Sequence, residues 1–505
     1  MVHPKHGVLE LTGAPPFDEA HRGDPVATRA YRAVLASDAS ACCWLEGPDG
    51  QRCTDASLDA TDPAHPRWTG HLAGAKVEAT AVATAPERFE LQWRLAGWRE
   101  TRPPRVRFAG RLALPALAEI TDTDPPDAVA VRQVTLAKGS TLSVTAPDMG
   151  ATARLTQPAG SWVADGNGFA ADFEGVATVL AISLDGPCAN RRDGTWSAPP
   201  GTLVPDPITA KALAYVRCCT ALRTGPDERV LLTDHRLLPL SWTRDAYYQA
   251  LLLLATGTDA DLDVVADHLR WLWRRCDRPD GTWARSHHAD GRRKDLGFQA
   301  DQQLYPVLEA CDYWRVTRRL PEGLDWTDAI AGCWAAVQDQ VDPATGLLAS
   351  VENAADDPAR APFIGSSQVL LWYTALRLAE VAEAGDIRLD PGELRSVASR
   401  ARTAFAAHFE HLGAWPYAVD GHGARIAYHD ANDLPLALAP LWGFCDAGEP
   451  GWRDTVAFAW SEANNGWFSG ERGGLGSIHT PGPWTLGDVQ DWLVGRITDD
   501  APRRD

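Results

Sequence analysis

Ala177-Thr-Val-Leu-Ala-Ile-Ser-Leu184 alternates apolar and polar positions. Pro199-Pro200-Gly201 then breaks the chain, Pro205 and Pro207 follow, and Ile208-Thr-Ala-Lys-Ala-Leu-Ala-Tyr-Val-Arg-Cys-Cys-Thr-Ala-Leu222 opens a run with apolar residues at helical spacing. A repeat of two sends side chains to opposite faces of a strand, whereas a repeat of 3.6 gathers them on one side of a helix. The chain therefore reads as a β domain over residues 1–205 and a helical domain over residues 206–505, with the proline-rich joint between them.

Working upstream, the same alternation recurs in Arg88-Phe-Glu-Leu-Gln-Trp-Arg-Leu95, in Pro104 to Leu112 and in Ser140 to Thr145. Turn signals such as Gly47-Pro-Asp-Gly50 and Asp165-Gly-Asn-Gly168 separate these runs, which predicts an antiparallel β-sandwich. Downstream, helices are predicted from Trp242 to Leu254, after an Asp259 cap, from Gln299 to Thr317, Trp326 to Gln338 and Ser366 to Ala384. Asp390-Pro391-Gly392-Glu393 supplies an N-cap, a first-position proline and a third-position glutamate for the next one. Asn432 to Phe444, Trp452 to Ser461 and Thr485 to Ile497 complete the series. Helices of similar length, long loops and no fixed repeat predict an (α/α) toroid rather than a solenoid.

Composition narrows the partners. At 505 residues the chain exceeds a single ordinary core. A net charge of −19 without a Lys/Arg stripe argues against nucleic acid and is compatible with neutral sugars. No segment is apolar enough to span a bilayer, so no membrane is expected as a partner, and Met1 to Gly23 lacks the apolar centre of a signal peptide, so the cytoplasm is the expected setting. The cysteines show no C-x-x-C spacing and His287-His288 is not part of an H-E-x-x-H, so neither a metal nor another cofactor is expected. The 21 tryptophans could fill the core or stack on sugar rings, and only their positions can decide which.

Three loop segments carry a family resemblance. Ser241-Trp242-Thr243-Arg244-Asp245 resembles the Trp-x-Arg-Asp element of glucoamylase-like six-hairpin glycoside hydrolases. Phe298-Gln299-Ala300-Asp301-Gln302-Gln303-Leu304-Tyr305-Pro306 is similar to the Phe-x-x-Asp-x-x-x-Tyr-Pro helix start of the metal-independent exo-α-1,6-mannosidases. Asp420-Gly-His-Gly423, Asp430-Ala-Asn-Asp-Leu-Pro435, Gly474-Leu-Gly-Ser-Ile-His479 and Arg496-Ile-Thr-Asp-Asp500 follow the pattern of that family in its order. The resemblance covers roughly residues 208–500 and implies an inverting, metal-independent glycosidase without a cofactor.

Inversion needs a protonated carboxyl for the departing oxygen and a carboxylate to activate water on the opposite face. By resemblance, Asp356 and Asp357 stand where the mannosidases carry their general acid, and as neighbours they are expected to repel one another's charge. Aligned to glucoamylases instead, Glu352 takes that role, and a solvated Asp-Asp-Pro turn is the plain alternative. In the mannosidase family a glutamate beyond the Thr-Asp-Asp element is taken as the base. Here the sequence ends at Asp505, which leaves Glu471, or Glu462, as substitutes. Arg244 and Asp245 pair a donor fork with an acceptor suited to two hydroxyls of a terminal sugar, beside Trp242. Asp301, the cluster Asp430, Asn432 and Asp433, and His479 with Trp484 are the further expected sugar contacts. The expected protein is an exo-acting inverting α-mannosidase or α-glucosidase acting on an oligosaccharide or glycoconjugate. A phosphorylase on the same architecture and a non-catalytic glycan-binding protein are its rivals.

Overall fold

The computed structural model describes residues 2–3, 8–10, 42–59, 67–85, 88–109, 134–136, 140–146, 151–157, 160–165, 168–173, 175, 177–185, 207–220, 223–233, 240–288, 291–410, 413–470 and 473–499. The fold mixes helix and sheet and divides by contacts into two compact units. One comprises Met1–Ser241 with His288–Asp290, the other Trp242–His287 with Gly291–Asp505. The helix Pro207–Cys219, which follows the proline-rich joint, is grouped with the first unit.

In the first unit the alternating segments become antiparallel strands. Arg88–Ala96 pairs with Ala75–Ala85 on one side and with Ala177–Asp185 on the other. These strands belong to an eight-stranded sheet, while Cys42–Glu46, Arg105–Ala109 and Gly168–Asp172 lie in a six-stranded one. Arg67–Leu72 shows the expected alternation directly, with Trp68, Gly70 and Leu72 buried and the residues between them exposed. Ala73 and Gly74 both take positive φ (47° and 80°), which closes the tight hairpin to Ala75 with the strand twist preserved. Both sheets contribute to one buried cluster, Leu45, Val106 and Phe108 from the smaller and Leu72, Trp93 and Ile182 from the larger. Each such side chain contributes about 1.5–3 kcal/mol by leaving water.

In the second unit, helix Thr243–Thr256 packs on Ala300–Thr317, which packs on Gly365–Glu383, which packs on the short Leu434–Ala437. Asp259–Arg270, Trp326–Gln338 and Pro391–Phe409 each pack on the helix that precedes them, so a helix of the row alternates with one laid against it. Two buried glutamines hold this alternation together. Gln303 accepts from the backbone N–H of Trp283 (2.8 Å) and donates to its carbonyl (2.9 Å), and Gln368 does the same to Leu348 at 2.8 Å each way. Each glutamine is the fourth residue of its helix, and each clamps a loop 20 residues upstream. Among the described residues no helix is long and apolar enough to cross a membrane.

Two local expectations need correction. Asp259 is not a cap: Thr258 is, its hydroxyl accepting from Asp261 N–H at 3.3 Å, and Asp259 is the first helical residue. The single helix expected from Asn432 to Phe444 is two short ones, Leu434–Ala437 and Ala439–Trp442, because Pro440 has no N–H to continue the ladder. The Asp390 cap is as read, accepting from Gly392 N–H at 2.8 Å with Pro391 first in the helix; Glu393, however, pairs with Arg400 at 2.9 Å.

Candidate active site

The site begins with a proline inside a helix. Pro306 lacks the N–H that would bond the carbonyl of Gln302, so that carbonyl is open, and the hydroxyl of Thr243 donates to it at 2.7 Å. The amide oxygen of Gln302 accepts from the Thr243 hydroxyl and, at 3.1 Å, from the Arg244 backbone N–H. These bonds fasten the first turns of helices Thr243–Thr256 and Ala300–Thr317 side by side. Arg244 Nη1 thereby meets Asp301 Oδ2 at 2.9 Å, with both side chains 9% exposed, while Arg244 Nε lies 3.8 Å from Asp245. Burial works against the Arg244 charge, but the carboxylates of Asp301, Asp245 and Asp356 outweigh it and raise its pKa. The fork expected to be open to sugar hydroxyls is thus already engaged through Nη1 by Asp301 and by Gln299 at 3.4 Å.

Asp356 reaches the same network from a loop. Asn353 closes a tight turn by accepting at its side chain from Ala355 and Asp357 N–H (2.9 and 3.0 Å), and Asp356 N–H donates to the Asn353 carbonyl at 3.1 Å. Asp356 sits at φ 69°, a left-handed conformation that costs most side chains and that Asp tolerates better than most. Its two oxygens accept from Gln299 Nε2 (2.6 Å) and from Trp242 Nε1 (3.2 Å). Arg285 grips the turn from behind, donating to the Asp356 carbonyl at 3.1 Å and lying 3.4 Å from Glu352. Gly297 lets Glu352 pack against the backbone, because a Cβ there would run into its carboxyl group.

A second carboxylate knot lies at the start of helix Leu434–Ala437. Asp433 Oδ1 accepts from Ser366 (2.8 Å) and Oδ2 from the Asp430 N–H (3.0 Å), while Asp430 accepts from both N–H groups of Asn432, at 2.9 and 2.7 Å. Tyr428 donates to Asp430 and accepts from Ile478 N–H at 3.1 Å. Burial, and after it the adjacent Asp430, pushes the Asp433 carboxyl up to about 8 despite these donors, so it carries a proton at neutral pH. The charge of Asp301 adds a smaller contribution in the same direction.

The remaining expected residues fall differently. Asp356 and Asp357 face different partners: Asp356 turns to Trp242 and Gln299, whereas Asp357 pairs with His479 Nδ1 at 3.0 Å, half-exposed. Trp242 is buried, and its indole N–H serves Asp356. Trp484 precedes helix Thr485–Thr498 and donates to the Thr480 carbonyl at 3.0 Å. Glu471 lies outside the described residues, and Glu462 stands exposed in the turn after helix Pro450–Ala459. Sequence reasoning missed Gln299, Gln302, Arg285, Ser366 and Tyr428. The glutamines had a signal: Gln299, Gln302 and Gln303 recur at helical spacing in a segment buried all round, where polar groups must find partners. Among the described residues no group of three or more His, Cys, Asp and Glu is arranged to hold a metal.

Residues 332–494 match the family described as metal-independent alpha-mannosidase (GH125). A bacterial glucoamylase complexed with acarbose shares the fold at a TM-score of 0.54 and 9% identity, over 80% of this chain and 69% of that one. A Streptococcus pneumoniae metal-independent alpha-mannosidase, solved as a non-productive complex with alpha-1,6-mannobiose, aligns at 18% identity and a TM-score of 0.48, over 59% of this chain and 82% of that one. No curated protein matches. The chain thus resembles the metal-independent alpha-mannosidases over residues 332–494 and the glucoamylase-like glycoside hydrolases in fold, the two relationships that its loop segments imply.

Proposed function

We propose that the protein is an exo-acting, inverting α-glycoside hydrolase of α-mannosidase or α-glucosidase type that removes terminal sugars from an oligosaccharide or glycoconjugate without a metal. In this reading the N-terminal sheets form a β-sandwich, residues 1–205, and the helices after it a six-hairpin (α/α) toroid. The observation that carries the proposal is the convergence of Trp242, Arg244, Asp301 and Asp356, from three separate segments, in one hydrogen-bonded network at neighbouring helix starts. Asp356 is the general acid, with Glu352 beside it as the alternative. Arg244, Asp245, Asp301 and the Asp430, Asn432 and Asp433 knot hold the hydroxyls of the terminal sugar, and His479 and Trp484 border the site. Glu471 is the proposed base. The similarity of residues 332–494 to the alpha-mannosidases supports the mannoside over the glucoside.

The test is proton NMR of the first-formed sugar from aryl α-mannosides and α-glucosides, with and without phosphate. Release of the β-anomer in plain buffer is expected. A sugar phosphate formed only with phosphate would instead establish a phosphorylase, and saturable binding without release a non-catalytic glycan-binding protein.

A further inference from the structure

Gln299 is fully buried between the two halves of the proposed site. Its Oε1 accepts from Gln302 Nε2 at 3.2 Å and from Arg244 Nη1 at 3.4 Å, and its Nε2 donates to Asp356 Oδ1 at 2.6 Å. Guanidinium nitrogens only donate, so the atom facing Arg244 is the oxygen and the atom facing Asp356 is the NH2. Gln302, whose own amide oxygen is held by the Thr243 and Arg244 segment, fixes the carboxamide from the other side. The orientation of Gln299 is therefore determined by its partners, and with it the face that Asp356 Oδ1 must present.

We infer that Gln299 is a positioning residue for the general acid: it commits Asp356 Oδ1 to accepting an N–H, leaves Oδ2 as the oxygen that carries the transferable proton, and ties the acid to the Arg244 sugar clamp. The inference rests on the glycosidase reading, with Asp356 as acid. In the step, the proton leaves Asp356 Oδ2 for the glycosidic oxygen while the bond from that oxygen to the anomeric carbon breaks with its electron pair on the oxygen. Water adds to the anomeric carbon from the opposite face and gives its proton to the base. The Gln299 N–H remains on Oδ1 throughout and stabilises the carboxylate left behind. Oδ2 itself meets only the longer Trp242 N–H at 3.2 Å, with Arg285 Nε at 3.9 Å as the cation facing it and Arg244 on the far side of Gln299, so the short Gln299 bond makes Oδ1 the more firmly engaged oxygen.

The experiment compares Gln299→Met, Gln299→Glu and Asp356→Asn in the full chain, on α-glycosides with a poor and with a highly activated aglycone, across pH. For Gln299→Met, kcat is expected to fall about tenfold to a hundredfold on the poor leaving group and far less on the activated one, with KM nearly unchanged, as befits impaired proton donation. The alkaline limb of its pH profile moves upward, since the carboxylate form has lost a donor, and Gln299→Glu moves it in the same direction by placing a like charge beside the acid. Gln299→Glu preserves shape and serves as the reporter if Gln299→Met does not fold. An equal loss on both aglycones with an unmoved pH limb, while Asp356→Asn shows the leaving-group dependence, overturns the inference alone. If Asp356→Asn itself shows no such dependence, Asp356 is not the acid and the underlying reading falls with it.

Discussion

At the scale of residues, the buried carboxylates decide what can be measured. Arg244→Ala leaves Asp301 as a buried carboxylate without its cation, which is expected to destabilise the fold by about 3–5 kcal/mol besides abolishing turnover. Urea unfolding checks this: a loss typical of an exposed pair, under about 1 kcal/mol, would mean that the network relaxes around the gap. Asp433 has the opposite signature. Burial pushes its carboxyl in the folded chain up to about 8, well above the ordinary carboxylate range of the unfolded chain. Through that window the folded chain holds a proton that the unfolded chain has released, so stability falls as pH rises. Asp433→Asn removes the dependence. Melting curves at several pH values should therefore show the variant gaining on the parent between about pH 5 and pH 8, and parallel curves would rule out the raised carboxyl. The acid assignment has its own residue-level check: Glu352→Gln should keep leaving-group-independent rates, and a loss confined to poor leaving groups would transfer the role to Glu352.

Among the elements, Pro306 has the widest consequences. By opening the Gln302 carbonyl it creates the acceptor that draws in Thr243, and so sets helix Thr243–Thr256 against helix Ala300–Thr317 at the level where Arg244 meets Asp301. Thr243→Val is expected to cost about 1–3 kcal/mol, the penalty of a buried carbonyl left without a donor. In a Pro306→Ala background the restored N–H can serve that carbonyl, so the same substitution should cost less there, and a double-mutant cycle reads the difference as coupling. Additive effects would show that the hydroxyl and the proline act separately. The clamps of Gln303 on Trp283 and Gln368 on Leu348 repeat one device in successive helical hairpins, which makes the kinship of these hairpins visible in structure where no repeat is apparent in sequence.

For the whole molecule, the absence of a metal-binding arrangement among the described residues accompanies similarity to a family described as metal-independent. Sugar release is expected to be unchanged by EDTA; a loss restored by a divalent ion would contradict the reading. The mixture of strands and helices and the family resemblance of the loop segments Trp242 to Asp245, Phe298 to Pro306 and Asp430 to Pro435 were legible along the chain, because periodicity, caps and turn residues act between near neighbours. Even there Pro440 shows the limit, since a helical pattern over Asn432 to Phe444 outweighed a proline that divides it. Other features depended on three dimensions. That Asp356 faces Trp242 while Asp357 faces His479, that Gln299 and Arg285 belong to the site, and that Asp433 keeps its proton all depend on segments dozens of residues apart. Hydrogen-bond direction and desolvation are set by what lies within a few ångströms in space, and the chain order does not encode that distance locally.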